Sequence, residues 1–142
     1  MTTTDLYGFK SVDIHACRDR LEGLFGQEME VHESSYFPGE EYYLLKLPGG
    51  ERLSLQLNYD EHEQEWAEDD FRAMSTLLHV EGQDRADELR KTLVDSLGDI
   101  EFLQRETVTA DGRFLRIRNE GGEDVVVFEM NLSDSAVAVN PS

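Results

Sequence analysis

Seven carboxylates crowd one tryptophan in the stretch DEHEQEWAEDDF, from Asp60 to Phe71. They are Asp60, Glu61, Glu63, Glu65, Glu68, Asp69 and Asp70, set around Trp66. Carboxylates at this density draw cations and speed their approach. A tryptophan is costly to leave in water, so Trp66 either folds back onto the domain or anchors an interface. A run of this composition also reads as a solvated connector between packed elements. Upstream, Tyr36, Glu40, Glu41 and Tyr42 add rings and acids around a FPGE turn. Alternation along an extended chain puts Tyr42 and Tyr43 on opposite faces. These aromatics read either as core and edge packing or, with the acids, as a surface suited to gripping a cationic partner. They form the candidate partner-binding set.

Other chemistries find less support. The four histidines, His15, His32, His62 and His79, fall on different expected elements and show no H-x3-H spacing. Structural or exposed roles are expected for them. Cys17 sits on the apolar side of a helical repeat, which reads as a small core residue rather than a nucleophile. Ser34 and Ser35 lie in no G-x-S-x-G context. No G-x-G-x-x-G or phosphate loop is present. No catalytic residue, metal or cofactor is therefore expected.

Composition narrows the class further. A chain of 142 residues makes one domain, or two small halves sharing a core. The apolar fraction of 39% suffices for a globular interior. No apolar run approaches the roughly 18 residues that span a bilayer. The start, MTTTDLYGFK, lacks a basic segment followed by an apolar one, so no secretory signal is expected. One cysteine fits a reducing compartment, and the expectation is cytoplasmic. With 31 acidic and 13 basic residues, the formal charge of −18 disfavours nucleic acid and anionic lipid as partners.

The elements that carry these residues come twice. Leu6–Val12 reads as a strand. Asp13 is a candidate N-cap for a helix through Phe25, with Ile14, Cys17, Leu21, Leu24 and Phe25 on one face and Gly26 as its stop. Alternating runs follow: EMEVHESSY with Met29 and Val31 in phase, then EEYYLLKL and RLSLQLN. The second half repeats the order. STLLHV is a strand, Asp84 is a candidate cap for a helix through Leu97, and Gly98 is its stop. IEFLQRETV, RFLRIRN and DVVVFEM then follow. At a constant offset of 72, Leu21 meets Leu93, Gly26 meets Gly98, Leu45 meets Ile117, and Gly49-Gly50 meet Gly121-Gly122. Leu53 and Leu55 meet Val125 and Val127, and one inserted residue later Asn58 meets Asn131. The expected fold class is α+β: two tandem βαβββ modules forming a curved mixed sheet or a half-barrel pair. The expected division is a first module at 5–59, an acidic connecting loop at 60–73, a second module at 74–131, and a tail at 132–142. Within the tail, AVAV is a candidate to pair at a sheet edge.

Tandem βαβββ modules resemble the vicinal oxygen chelate superfamily, which includes glyoxalase I, the bleomycin-resistance proteins and extradiol dioxygenases. The resemblance covers residues 5 to about 131 and rests on element order and turns. It implies a cleft lined by Tyr7, Gln56, Ser75, His79 and Glu129. In the family's enzymes such positions hold a metal; here Glu129 is the one typical ligand among the carried-over positions, with His79 four residues beyond Ser75 along the same strand face. The local text DLYGF, ESSYFPGEEYY, LQLNYD and LLHVEG resembles small acidic bacterial proteins regarded as immunity proteins against toxins. The expected function is thus a non-catalytic acidic protein that neutralises a basic protein, a toxin domain. The alternatives are a bleomycin-resistance-like binder of a cationic small molecule, with a homodimer as a possible form, and a metal-dependent enzyme of the glyoxalase or dioxygenase kind.

Overall fold

The computed structural model describes residues 2–10, 13–34, 37 and 41–132. The expectations for Tyr36, Glu40 and the tail from residue 133 onward lie outside the described residues.

Helix α1, Ile14–Phe25, forms where the caps announce it. The Asp13 carboxylate accepts the Ala16 N–H at 3.0 Å, satisfying one of the orphan donors of the first turn. Gly26 ends the helix in the left-handed region, φ 67°, and donates its N–H to the Glu22 carbonyl. Helix α2, Ala86–Ser96, starts differently. The expected Asp84 cap does not operate: Arg85 occupies the cap position, with no side-chain cap bond. The Arg85 side chain is drawn instead to buried Glu51, Nε to Oε2 at 3.1 Å and Nη2 to Oε1 at 3.0 Å. Asp87 and Glu88 still place negative charge in the first turn, where the helix dipole favours it. Leu97, not Gly98, closes the helix, its N–H bonded to the Leu93 carbonyl.

The strands are β1 Thr2–Phe9, β2 Glu30–Glu33, β3 Glu41–Lys46, β4 Arg52–Leu57, β5 Tyr59–Asp60, β6 Glu65–Trp66, β7 Thr76–Gly82, β8 Ile100–Val108, β9 Arg113–Glu120 and β10 Glu123–Asn131. Eight of them join in one sheet in the order β10-β9-β8-β1-β7-β4-β3-β2. Every pairing is antiparallel, so the sheet is not the mixed one expected. The first strand of each half lies among strands of the other half. β1 sits between β7 and β8, and β7 sits between β1 and β4. Helix α2 leads directly from β7 to β8, while α1 leads from β1 to the edge strand β2, from which the chain returns through β3 to β4. A short hairpin, β5–β6, stands apart as a second sheet between β4 and β7.

Both helices cover the same face. Tyr7, Phe9, Tyr43, Leu53, Leu55, Leu78 and Phe102 point to it and bury against Cys17 and Leu21 of α1 and Leu89 and Leu93 of α2. Each fully buried side chain of this size contributes about 1.5–3 kcal/mol. The opposite face is covered in part by the segment from Asn58 to Ser75. Leu6, Leu77 and Leu103 of the sheet pack there with Met74 and Phe71. Gly8 permits the close approach, since a Cβ at that position would stand 2.3 Å from Met74 Cγ. Beyond the helices, β9 and β10 continue outward as an arm.

Candidate functional site

The acidic segment is a built structure rather than a loose connector. Its footing is Asn58, which is 0% exposed. The Asn58 amide nitrogen donates to the carbonyls of Phe71 and Met74, both at 2.9 Å, and reaches that of Glu68 at 3.4 Å. Its side-chain oxygen accepts the Glu68 N–H at 2.8 Å. On the main chain, Asn58 N–H donates to the Ser75 carbonyl and its carbonyl accepts from Ala67. One side chain thus ties both ends of the excursion together. An asparagine suits the place because it supplies donors and an acceptor within one short group.

From this footing β5 and β6 rise as a hairpin, with Tyr59 opposite Trp66. The two rings lie 4.8 Å apart. The Arg72 guanidinium lies over the other ring system, 5.6 Å from the Trp66 centroid. Trp66 is therefore half-buried between its own neighbours. Asp60 closes the turn by accepting the N–H groups of His62 and Glu63 at 3.0 and 3.2 Å. Gln64 takes a left-handed conformation at the tip, φ 55°.

The seven carboxylates divide by what they touch. Asp60 serves the turn. Asp69 accepts from Arg72 Nε at 2.7 Å. Asp70 pairs with Arg118 of β9 at 2.7 Å, and that guanidinium also lies over the Phe71 ring and donates to Gln104. Glu68 stands 3.9 Å from His79. Glu61, Glu63 and Glu65 are exposed and have no ion pair among the described residues. Three bare carboxylates thus stand on a hairpin whose other acids hold it in place.

Glu41 and Tyr42 lie elsewhere, at the far end of the sheet. Tyr42 is stacked between Phe37, 4.1 Å away, and His32, 5.2 Å away, while Glu41 is exposed. Alternation holds for the tyrosine pair: Tyr43 faces the helices and its hydroxyl lies 2.9 Å from His15 Nδ1. Val31, in register with Tyr43, takes the same face as expected but is 58% exposed, whereas Met29 is buried. β2 is an edge strand, and its end lies outside the helix cover.

The expected cleft residues are not brought together. Tyr7 is buried on the helix face, with its hydroxyl 3.4 Å from Asp5. Gln56 and His79 lie on the opposite face, in register with Leu77 and Ser54 respectively. Ser75 contributes main-chain bonds to Phe9 and Asn58. Glu129 lies on β10 in an ion pair with Arg113. β7 and β10 are separated by β1, β8 and β9, so the strands carrying His79 and Glu129 lie about 19 Å apart across the sheet at ~4.8 Å per strand step. That separation exceeds any shared coordination sphere. Among the described residues no group of three or more His, Cys, Asp or Glu is placed to hold a metal ion.

A buried charge network lies under α2 instead. Asp5, 1% exposed, receives Arg105 Nε at 2.7 Å and Nη2 at 2.9 Å. Arg105 also donates to Asp87 at 2.6 Å. Burial pushes the Asp5 carboxyl above its ordinary range, opposed by the Arg105 guanidinium. Burial likewise pushes the Tyr7 phenol up, with the Asp5 charge adding to it. These groups explain how a charged residue can stand in the middle of β1: it is paired and hydrogen-bonded.

Among the described residues no helix is long and apolar enough to cross a membrane. A scan against protein-family models finds no match for this chain, and neither does a search of curated proteins.

Proposed function

We propose that the chain is a non-catalytic binding protein whose acidic hairpin neutralises a cationic protein, in the manner of a bacterial immunity protein acting on a basic toxin domain. The observation that carries this reading is the division of labour in the hairpin. Asn58, Asp60, Asp69 and Asp70 fix it, and Glu61, Glu63 and Glu65 are left for a partner. A prefixed hairpin loses little conformational entropy on binding, so more of its contact energy is expressed as affinity. The net charge of −18 steers a cationic partner toward it. Trp66, already covered on one side by Arg72, offers its remaining surface to a second guanidinium or apolar group.

The test is co-expression with the C-terminal domain encoded by the adjacent upstream gene. The reading requires that domain to be toxic alone, and harmless and co-purifying in the presence of this protein. An inert neighbour that does not bind would count against it.

The finer reading of the architecture, duplication of one βαβββ unit, is part of this proposal. Its support is that a shift of 72 carries α1, 14–25, onto 86–97, where α2 lies, and β3, 41–46, onto 113–118 within β9.

A further inference from the structure

Two buried carboxamides stand on the sheet face that the acidic segment covers in part. Gln56 of β4 and Gln104 of β8 are each 7% exposed. Gln104 is paired. It accepts Arg118 Nε at 2.9 Å, and the same guanidinium donates to Asp70 at 2.7 Å and lies over the Phe71 ring. A glutamine of the sheet and a carboxylate of the segment thus clasp one guanidinium between them. Gln56 has no side-chain hydrogen bond among the described residues, although more than nine-tenths of it is buried. A carboxamide so placed has given up most of its hydration with no protein partner in return. No fully enclosed side-chain nitrogen or oxygen among the described residues lacks a partner, so the Gln56 amide opens to solvent at its tip.

The register brings a carboxylate of the segment to Gln56 as well. Glu68 starts beside Asn58, just past β4, where its N–H is held by the Asn58 side chain at 2.8 Å. Its carboxylate ends 3.9 Å from His79 Nε2, and His79 lies opposite Ser54. Gln56 falls between Asn58 and Ser54 along the chain and shares the face of Ser54, so the Glu68 side chain crosses the row that Gln56 occupies. At 3.9 Å the Glu68–His79 contact is too long for a hydrogen bond, which leaves the carboxylate oxygens able to accept from a further donor. Glu68 has no arginine partner among the described residues. Glu68 and Gln56 therefore repeat the arrangement of Asp70 and Gln104, without a guanidinium supplied by the chain itself.

We propose that Gln56 and Glu68 seat one arginine side chain of the cationic partner, in the way that Gln104 and Asp70 seat Arg118. Glu68 supplies the charge, and the Gln56 carbonyl supplies the second acceptor. A planar guanidinium with five donors in a fixed fork can serve both acceptors at once, whereas a lysine ammonium is a compact point charge. The inference rests on the reading of the chain as a binder of a basic protein. It adds a specific anchor to the steering supplied by the bare carboxylates of the hairpin.

The experiment titrates the isotope-labelled full chain with N-acetylarginine amide and, separately, with N-acetyllysine amide, read by NMR at the Gln56 side-chain amide and the His79 ring. The expected result is a saturable shift at both with the arginine probe, and a several-fold weaker response to the lysine probe. Gln56→Met and Glu68→Gln, read at His79, should each weaken the arginine probe about tenfold, as loss of one charge-assisted hydrogen bond does. Replacing Glu61, Glu63 and Glu65 by glutamine together should change its affinity at this site by about twofold or less, since exposed charges at a distance are screened. No shift at Gln56, an equal response to lysine, or unchanged binding in both Gln56→Met and Glu68→Gln would each overturn the proposal. The first two readings use the native chain and stand even where a variant fails to fold. A shift at Gln56 in a chain that gives no protection against the neighbouring domain would support the anchor and count against the toxin partner. Protection without a shift at Gln56 would do the reverse.

Discussion

Replacing Asn58 with alanine tests whether the acidic hairpin is held from its base. The substitution removes the donors to the Phe71 and Met74 carbonyls and the acceptor of the Glu68 N–H, at 2.9, 2.9 and 2.8 Å. A typical hydrogen bond contributes a net ~1 kcal/mol, and a buried group left unsatisfied costs about 1–3 kcal/mol. Three groups lose partners, but the segment lies at the surface and water can reach some of them after it relaxes. The expected loss is therefore about 3 kcal/mol, a large part of an ordinary domain's 5–15 kcal/mol. For a chain of this size that lowers the thermal midpoint by roughly 10 °C. Asn58→Asp should be worse at neutral pH, because a carboxylate would face carbonyl oxygens without a proton to give. It should recover partly in acid. Thermal melts give the stability, and hydrogen exchange at Glu68 and Ala67 reports whether the segment has come loose. A loss below about 1 kcal/mol with unchanged exchange at both amides would refute the reasoning.

Other outcomes follow from the buried charges. Arg105→Met leaves Asp5 buried without its cation and should cost about 3–5 kcal/mol at neutral pH. The Asp5 carboxyl is already raised by burial, so its protonated form favours the folded state. The deficit of Arg105→Met against the native chain should therefore grow as pH rises from the carboxylate range toward neutrality, in urea melts at several pH values. Asp99 and Asp124 behave in the opposite sense. Arg20 and Arg90, respectively, hold them below the ordinary range, so their stabilisation is present above that range and fades as pH falls through it. Both carboxylates are substantially exposed, so each accounts for less than about 1 kcal/mol. Arg90→Gln should correspondingly flatten the acid side of the stability profile. Burial pushes the Cys17 thiol up to about 11, so it should react slowly with a disulfide reagent at pH near 8 and rapidly once unfolded.

Local signals in the sequence carried through where local physics decides. Asp13 and Gly26 bound α1 as their types require, and Leu53, Leu55 and Leu78 face the helices as alternation requires. The start of α2 was not legible, because Arg85 answers to Glu51, which lies 34 positions away along the chain. Strand neighbours were not legible either. Alternation tells which face a residue takes but not which strand lies beside it, so β1 fits a half-barrel pattern as well as a place between β7 and β8. The valines of β10 follow the pattern of a buried strand and stand exposed for the same reason. In the acidic segment the carboxylates were visible, while the distinction between structural and free ones depends on Arg72, Arg118 and Asn58, brought close only by folding. Asn58 did carry a signal, the asparagine ending both repeated runs, but its hydrogen bonds to Glu68, Phe71 and Met74 depend on how the excursion folds back.

The central claim is that bare carboxylates on a rigid hairpin bind a cationic protein. It is tested most directly by reversing them together, as Glu61→Lys, Glu63→Lys and Glu65→Lys in one chain, and co-expressing that chain with the neighbouring basic domain. Glu61, Glu63 and Glu65 are exposed and bear no ion pair among the described residues, so the fold should survive, as circular dichroism and melting would verify. The native chain should protect the cell and co-purify with the domain, and the reversed chain should do neither. Equal protection by the two chains would contradict it.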